Sequence, residues 1–342
     1  MVKSDTKVKV GSLWDGVADS IKISDYDNAV SNGEKILLFG ETGCGKTTFY
    51  LTILSYLKSI GYPKEKLCMQ IIFPDRPSGL KKLIGLIPEE YKDNIDVYPV
   101  TDYESSIIAT ATAERKLKKH YQKTGELGWM VFELMENYWS FSQDYYCRQA
   151  YGKSMGEYFA QMQSILSKNK AEKKQAYEAF AGPFGGPWVV IKFFHNFNWI
   201  DKVKRFPYNT VFTSEIKEES NKDSVFFELG FRPAGEKNNQ HKMDTILYLG
   251  HKKGKFTMKP FKLTGFSKFY SEIDISSKNG YNKHLQACDK LTEMGLSVTK
   301  FDDLEQKIGI MPPKYNKNKK EEIKEKYVDK KQDNNDFDDF EF

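Results

Sequence analysis

Eight consecutive residues constrain this chain more than any other feature: Gly40-Glu41-Thr42-Gly43-Cys44-Gly45-Lys46-Thr47. They satisfy G-x-x-x-x-G-K-[ST] at every fixed position. Such a loop needs a buried strand before it and a helix N-terminus after it. Its backbone amides then converge on phosphate oxygens, and the helix dipole favours the negative charge. The flanks supply both. Lys35-Ile36-Leu37-Leu38-Phe39 reads as a short buried strand, and residues 48–57 carry the apolar face of a helix. The expected nucleotide contacts are the eight loop residues and Thr48. Lys46 is expected to neutralise the β and γ phosphates, and the Thr47 hydroxyl to hold Mg²⁺. ATP and Mg²⁺ are therefore the expected cofactors.

The chain has 342 residues, 39% of them hydrophobic, enough for one large core with extensions. Net charge is +5, from 52 basic and 47 acidic side chains, which leaves room for a local basic surface without demanding one. Aromatic residues make up 14%, and some of these can stack on bases. Cys44, Cys68, Cys147 and Cys288 lie far apart and form no metal pattern. No apolar N-terminal segment suggests secretion, and no apolar run reaches spanning length. The expectation is a protein of a reducing, cytoplasmic compartment without membrane contact. Cys44 lies inside the loop, so its alkylation is expected to block nucleotide binding.

Further strands are predicted at 67–73, 95–100, 129–133 and 209–213, with late, antiparallel strands at 224–229, 245–250 and 255–263. Helical pattern runs over 103–121, 141–180 and 188–206, and Gly182-Pro183-Phe184-Gly185-Gly186-Pro187 breaks it. Alternating strands and helices predict an α/β layered core. The expected organisation is a lead-in at 1–32, a core at 33–265 with a helical insertion near 141–181, a helical extension at 266–310, and a charged tail at 311–342. That tail ends Asp333-Asn334-Asn335-Asp336-Phe337-Asp338-Asp339-Phe340-Glu341-Phe342, an acidic composition that builds no core.

Hydrolysis needs an acid near Mg²⁺ and a group that orients water. Glu133, after the apolar run 129–132, is the expected metal-side acid, with Glu136 three residues on as its alternative. Asp75 follows the strand at 67–73 and reaches the γ-phosphate if that strand neighbours the first; Glu136 is the rival base. Asp75 is equally good turn chemistry, in Asp-Arg-Pro-Ser-Gly. Thr213, Ser214 and Glu215 close another strand, where a hydroxyl can sense phosphate and a polar group can relay it. Lys217, Arg205 and Arg232 compete as a positive finger that reaches a neighbouring subunit.

This order of motifs resembles the RecA-like P-loop ATPases, particularly the compact versions encoded by bacteriophages and archaeal mobile elements. The resemblance spans about residues 30–265 and includes the late Phe231-Arg232-Pro233-Ala234-Gly235 and Met243-Asp244-Thr245-Ile246-Leu247. It implies an α/β RecA-like P-loop NTPase core: a mostly parallel sheet flanked by helices, late antiparallel strands, and here a disordered acidic tail. It also implies ATP hydrolysis at the subunit interfaces of a ring or filament, acting on single-stranded DNA in recombination or replication. Two positions depart from the pattern: Glu133 stands where Asp is usual, and Glu215 where Gln or His is common.

Lys116, Lys118 and Lys119 form one basic patch with nearby aromatics, and Lys202 and Lys204 another. Both suit phosphate contacts with base stacking, or a solvated helix face. The acidic, phenylalanine-bearing tail resembles the tips of single-stranded-DNA-binding proteins in composition, and suggests docking of a replication, recombination or packaging partner. A genome-packaging or helicase-type ring ATPase, a nucleotide-gated assembly module with weak turnover, and a small-molecule kinase remain alternatives.

Overall fold

A computed structural model of the chain describes residues 33–74, 81, 84–166, 187–222, 224–263, 266–267 and 272–293. The expected lead-in, Asp75, residues 167–181 of the expected insertion, residues 294–310 of the expected extension and the tail at 311–342 lie outside the described residues.

The strands, in chain order, are β1 (Lys35–Phe39), β2 (Met69–Phe73), β3 (Ile95–Pro99), β4 (Trp129–Phe132), β5 (Asn209–Ser214), β6 (Ile216–Glu218), β7 (Phe231–Pro233), β8 (Thr245–Lys252), β9 (Lys255–Leu263), β10 (Phe266–Ser267) and β11 (Ile273–Asp274). Nine form one sheet in the order β10-β9-β8-β1-β5-β4-β2-β3, with β11 also paired to β9. Strands β6 and β7 make a separate antiparallel hairpin. From β8 across to β3 every pairing is parallel. Within the large sheet, antiparallel pairing is confined to β9 and its partners. The expectation of antiparallel late strands therefore holds for β9 and fails for β8, which runs parallel to β1.

Every residue of β1, β2, β4 and β5 is buried. That explains their near-continuous apolar runs: a parallel sheet covered on both faces leaves no solvent side for alternation. The helices are α1 (Lys46–Ser59), α2 (Tyr103–Thr124), α3 (Met135–Tyr151), α4 (Met155–Leu166) and α5 (Pro187–Lys192). A π-helical stretch, Phe193–Ile200, carries α5 into α6 (Asp201–Arg205), and α7 (Gly280–Glu293) follows the last strands. Side chains alternate across a strand, so Trp129 and Phe132, three apart, report opposite faces. Trp129 meets Tyr281 of α7, with ring centroids 5.5 Å apart. Phe132 meets Trp199 at 5.2 Å and Tyr138 of α3 at 5.7 Å. One face is thus covered by α7 and its neighbour α1, the other by α3 and the helix through Trp199.

Three local expectations change. Residues 224–229 are a turn and a short 3-10 helix, not a strand. Phe226 is fully buried there and Leu229 packs partly buried against the core, while Val225 and Phe227 stay exposed. The period-2 pattern that reads as a strand is one anchor between two solvated neighbours. The helix expected from 141 begins at Met135, and Met135 and Tyr138 are core residues, so its first turns belong to the sheet packing. The segment expected as a C-terminal extension contributes Tyr281, Leu285 and Cys288 to the same core.

Candidate functional site at the strand C-termini

Strand order brings three expected elements to one place. Strand β5 lies between β1 and β4, all three parallel. Their C-terminal ends deliver the loop after Phe39, Glu215 after Ser214, and Glu133 after Phe132. The crevice outside the carboxyl ends of parallel strands is where open α/β sheets bind ligands. Strand β2, by contrast, stands beyond β5 and β4 from β1. The condition that would aim Asp75 at a γ-phosphate, direct adjacency of β2 to β1, is not met.

The loop's backbone depends on its glycines. Gly45, which precedes the first turn of α1, has φ 95°, a left-handed value that a Cβ would strain. Gly40 lies against β8, where an added Cβ would come within 2.2 Å of the Leu249 carbonyl oxygen. Glu41, Thr42 and Gly43 form the exposed tip, whereas Cys44 is 1% exposed and burial pushes its thiol pKa up. A buried, protonated thiol is a poor target, so the expected sensitivity to alkylation requires the loop to open first.

Lys46 is buried. Its Nζ donates to the Gly40 carbonyl at 2.8 Å, the Glu41 carbonyl at 2.9 Å and Glu215 Oε1 at 3.0 Å. All three ammonium protons have acceptors. Thr42 Oγ1 donates to the other Glu215 oxygen at 3.3 Å. The Glu215 carboxylate thus holds the lysine and the loop tip together.

Thr47 Oγ1 donates to Glu133 Oε1 at 2.6 Å. Glu133 is 4% exposed, and burial raises its pKa to about 7 against the pull of Thr47, Tyr50 and Lys46; Glu136 adds a further upward push. Glu133 Oε2 and the Tyr50 hydroxyl are both buried without a hydrogen-bond partner in good geometry, although the two groups are close enough to perturb each other's ionisation. A hydroxyl and a buried carboxylate oxygen side by side form a donor set that suits a hard divalent cation with retained waters. Thr48, one residue on, is half-buried.

Glu136 is half-buried, and burial and the Glu215 charge raise its pKa. The backbone N of Glu215 donates to both Glu136 oxygens at 3.3 Å. The two glutamates therefore form a chain from the root of the β6–β7 hairpin to Lys46. Thr213 and Ser214, expected as phosphate sensors, are fully buried and turned to other tasks. Thr213 Oγ1 accepts from the Leu134 backbone N at 2.8 Å, which holds Leu134 at φ 53° and turns the chain from β4 into α3. Ser214 Oγ donates to the Glu215 carbonyl at 3.0 Å and the Ala234 carbonyl at 3.4 Å. Of the three, only Glu215 reaches the loop with its side chain; the Ser214 carbonyl accepts from the Gly40 backbone N at 3.3 Å.

The finger candidates separate. Arg232 is 5% exposed; its Nη1 donates to the Pro233 carbonyl at 2.9 Å and its Nε lies 3.9 Å from Glu219. It is a structural part of the hairpin, not a cation offered outward. Lys217 pairs with Arg232 across that hairpin but is exposed, on the loop's side of the sheet. Arg205 is exposed as well, yet it precedes β5 and so belongs to the opposite end.

Both basic patches also lie at that opposite end. Lys202 and Lys204 precede β5, and Lys204 is close enough to Lys262 to depress its pKa, after burial. Lys116, Lys118 and Lys119 flank Leu117, which packs under Gly128 just before β4. Lys116 is engaged with Asp96 at 3.1 Å and lies over the Tyr98 ring, while Lys119, Lys202 and Lys204 are exposed.

Among the described residues, no helix is long and apolar enough to cross a membrane. A scan against protein-family models and a search of curated proteins return no match to this chain.

Proposed function

We propose that this chain is a Mg²⁺-dependent P-loop ATPase of the RecA-like kind, working as an oligomer on single-stranded DNA. The observation that carries the nucleotide part is the meeting of Lys46, the Thr47–Glu133 pair and Glu215 at the C-terminal ends of three adjacent parallel strands. In this reading the loop amides and Lys46 take the phosphates, and Thr47 with Glu133 holds Mg²⁺. Glu136 orients the attacking water, because it follows β4, whereas β2, the strand before Asp75, lies one place further from β1. The γ-phosphate takes the place of the Glu215 carboxylate on Lys46 and Thr42. Displaced, Glu215 moves the root of the β6–β7 hairpin, which carries Lys217 toward a neighbouring subunit. Exposed Val189, Phe193 and Phe197, with the two phenylalanine rings stacked at 5.0 Å, support self-association. The exposed lysines at the other sheet end support a nucleic-acid contact remote from the nucleotide.

One observation favours a second reading, a nucleotide-gated assembly module with weak turnover. Its loop lysine is already satisfied by an internal carboxylate, so phosphate must compete for it. ATP turnover with and without Mg²⁺, single-stranded DNA and duplex DNA, read beside light scattering, tests both. The primary reading expects Mg²⁺-dependent hydrolysis that single-stranded DNA stimulates in a species larger than a monomer. Nucleotide-dependent assembly with no stimulated turnover selects the second reading, and no nucleotide binding overturns both.

A further inference from the structure

The opposite end of β1 carries a cluster that nucleotide chemistry does not use. Glu34, the residue before β1, faces His284 and Cys288 of α7. His284 Nε2 lies 3.1 Å from Glu34 Oε2, and Cys288 Sγ lies 3.8 Å from the same Nε2. One donor atom from each residue falls within 4.8 Å of both others. The exposures are 7%, 0% and 1% for Glu34, His284 and Cys288. We propose that Glu34, His284 and Cys288 bind a structural Zn²⁺ ion that fastens α7 to the base of the nucleotide-binding strand.

Four arguments support this. First, the chemistry of the donors is selective: thiolate, imidazole and carboxylate together suit zinc, whereas magnesium and calcium want oxygen alone. Second, the spacings are close: Cys288 Sγ lies 3.7 Å from Nδ1 and 3.8 Å from Nε2, so a turn of the ring or of the thiol brings sulfur to the Nε2 side. Zinc–sulfur and zinc–nitrogen bonds of about 2.3 Å and about 2.05 Å at a tetrahedral angle put sulfur and nitrogen about 3.6 Å apart, and nitrogen and oxygen about 3.4 Å apart. Third, His284 and Cys288 are four residues apart on a helix, so one face presents both at a fixed separation. Fourth, the outer contacts are in place. The Thr245 hydroxyl donates to Glu34 Oε1, which fixes the carboxylate and leaves Oε2 toward His284. Asn209 Oδ1 accepts from the Glu34 backbone N at 3.1 Å, which holds the base of the site, and water takes the fourth corner.

Charge balances. With thiolate, carboxylate and neutral imidazole as ligands, the Zn²⁺ site is neutral overall, and binding releases to solvent whatever protons those groups carried. Glu34 and Cys288 are 254 positions apart in sequence, so the ion closes a loop through nearly the whole core.

The test uses the full chain, freed of metal by chelator and checked for retained helix by circular dichroism, then titrated with Co²⁺ and Zn²⁺. One equivalent of Co²⁺ is expected to bring up a thiolate-to-cobalt charge-transfer band, which Zn²⁺ abolishes, and Zn²⁺ is expected to raise the melting temperature. Cys288→Ser is expected to lose the band while it keeps the fold, and His284→Asn gives an independent second variant. A folded, metal-free chain that shows no band and no melting shift overturns the site; so does a band that survives in Cys288→Ser. Metal content is read without nucleotide, so a failed ATPase reading would leave this result standing, and the reverse.

Discussion

The two ends of β1 bury the same kinds of group and treat them differently. At the C-terminal end, Lys46 meets two carbonyls and the Glu215 side chain, which is itself 33% exposed. At the N-terminal end, Lys35 donates to the carbonyls of Gly33, Phe206 and Tyr208 at 2.9, 2.9 and 2.6 Å, all local backbone that cannot leave. Burial lowers the Lys35 pKa to about 8, although Asp244 and Glu34 pull it upward. His284 differs again: burial opposes its charge, but Cys288 and Glu34 more than offset it and raise its pKa well above the ordinary value. One lysine thus has an exchangeable anion at an open mouth, and the other is sealed among acceptors. A ligand can replace a side-chain carboxylate. It cannot replace a strand's backbone. The open end is where chemistry with a diffusible anion can occur, and the sealed end is where the sheet, α7 and the chain before β5 are joined.

Truncating each lysine in turn is the strongest way to break that contrast. Lys46→Ala is expected to weaken ATP binding by on the order of 10²-fold or more, the value of one or two charge-assisted hydrogen bonds. Its thermal midpoint should move little, because Glu215 can rehydrate. Titration with labelled ATP and a thermal melt read both quantities; unchanged affinity would remove the loop's assignment. Lys35→Met should do the reverse. It leaves three buried carbonyls without their donor, a loss of about 3 kcal/mol in stability. Its nucleotide affinity, measured where the variant is still folded, should match the parent. If Lys35→Met loses nucleotide first, the two ends are coupled and the contrast fails.

Glu133 sharpens the picture through pH. Its folded pKa of about 7 lies above the ordinary carboxyl value of 4.5. The folded state therefore holds a proton that the unfolded state has lost between those values, and the contribution to stability falls as pH rises from about 4.5 to about 7. Glu133→Gln keeps the acceptor for Thr47 and cannot ionise. Relative to the parent, it should gain up to about 3 kcal/mol between pH 5 and pH 8 without metal. Denaturant unfolding across that range measures the difference, and parallel profiles would mean that Glu133 does not titrate there. In the proposed reading, Mg²⁺ affinity of the parent rises through the same window, because the cation needs the carboxylate, and Glu133→Gln loses that rise together with turnover.

Glu215→Gln asks how strongly the internal anion competes. The amide still accepts from Lys46, but a charge-assisted bond becomes an ordinary one, a change of about 1.4 kcal/mol. Nucleotide affinity should rise about tenfold, with hairpin signalling to Lys217 weakened. An affinity that falls would make Glu215 a direct nucleotide ligand instead of a competitor.

The parts of this site that were legible in the sequence are the local ones. The loop's fixed positions, the apolar run before it, and Glu133 at the end of another apolar run depend on neighbours a few residues away. The strand order does not. Strand β2 follows α1 in the chain, but it lies three places from β1, because β5 and β4 fill the gap later in the sequence. The role expected of Asp75 is conditional on adjacency of β2 to β1, which only the strand order decides. The Glu215 contact with Lys46 spans 169 positions and Glu34 with His284 spans 250, so no window of pattern holds either pair. His284 and Cys288, four apart on one helical face, are the two of the cluster's three members that a sequence window can hold. The turn of Leu134 through a left-handed conformation leaves no residue-type signal, since Leu is a poor choice for it; the hydrogen bond that its backbone N donates to Thr213 Oγ1 enforces it.

The smallest effects are expected at the exposed lysines of the sealed end. Lys119 and Lys204 stand clear of the carboxylates that occupy Lys116 and Lys242. If single-stranded DNA lies along this end, each contributes a phosphate contact, and neutralising one should lower the slope of log affinity against log salt by about 0.7. Lys119→Gln and Lys204→Gln should therefore weaken DNA binding only a few-fold at low salt, with near-additive loss in the double variant and no change in ATP affinity. Fluorescence anisotropy with a labelled single strand, repeated over a salt series, gives the slope directly. The control is Lys116→Gln. Lys116 is held by Asp96 and Tyr98, so its removal should change the slope less than either exposed lysine does. Equal slopes for all variants would mean that DNA does not track this end. Lys217 and the loop side of the sheet would then be the next surface to neutralise, and nucleotide and nucleic acid would share one end of the sheet.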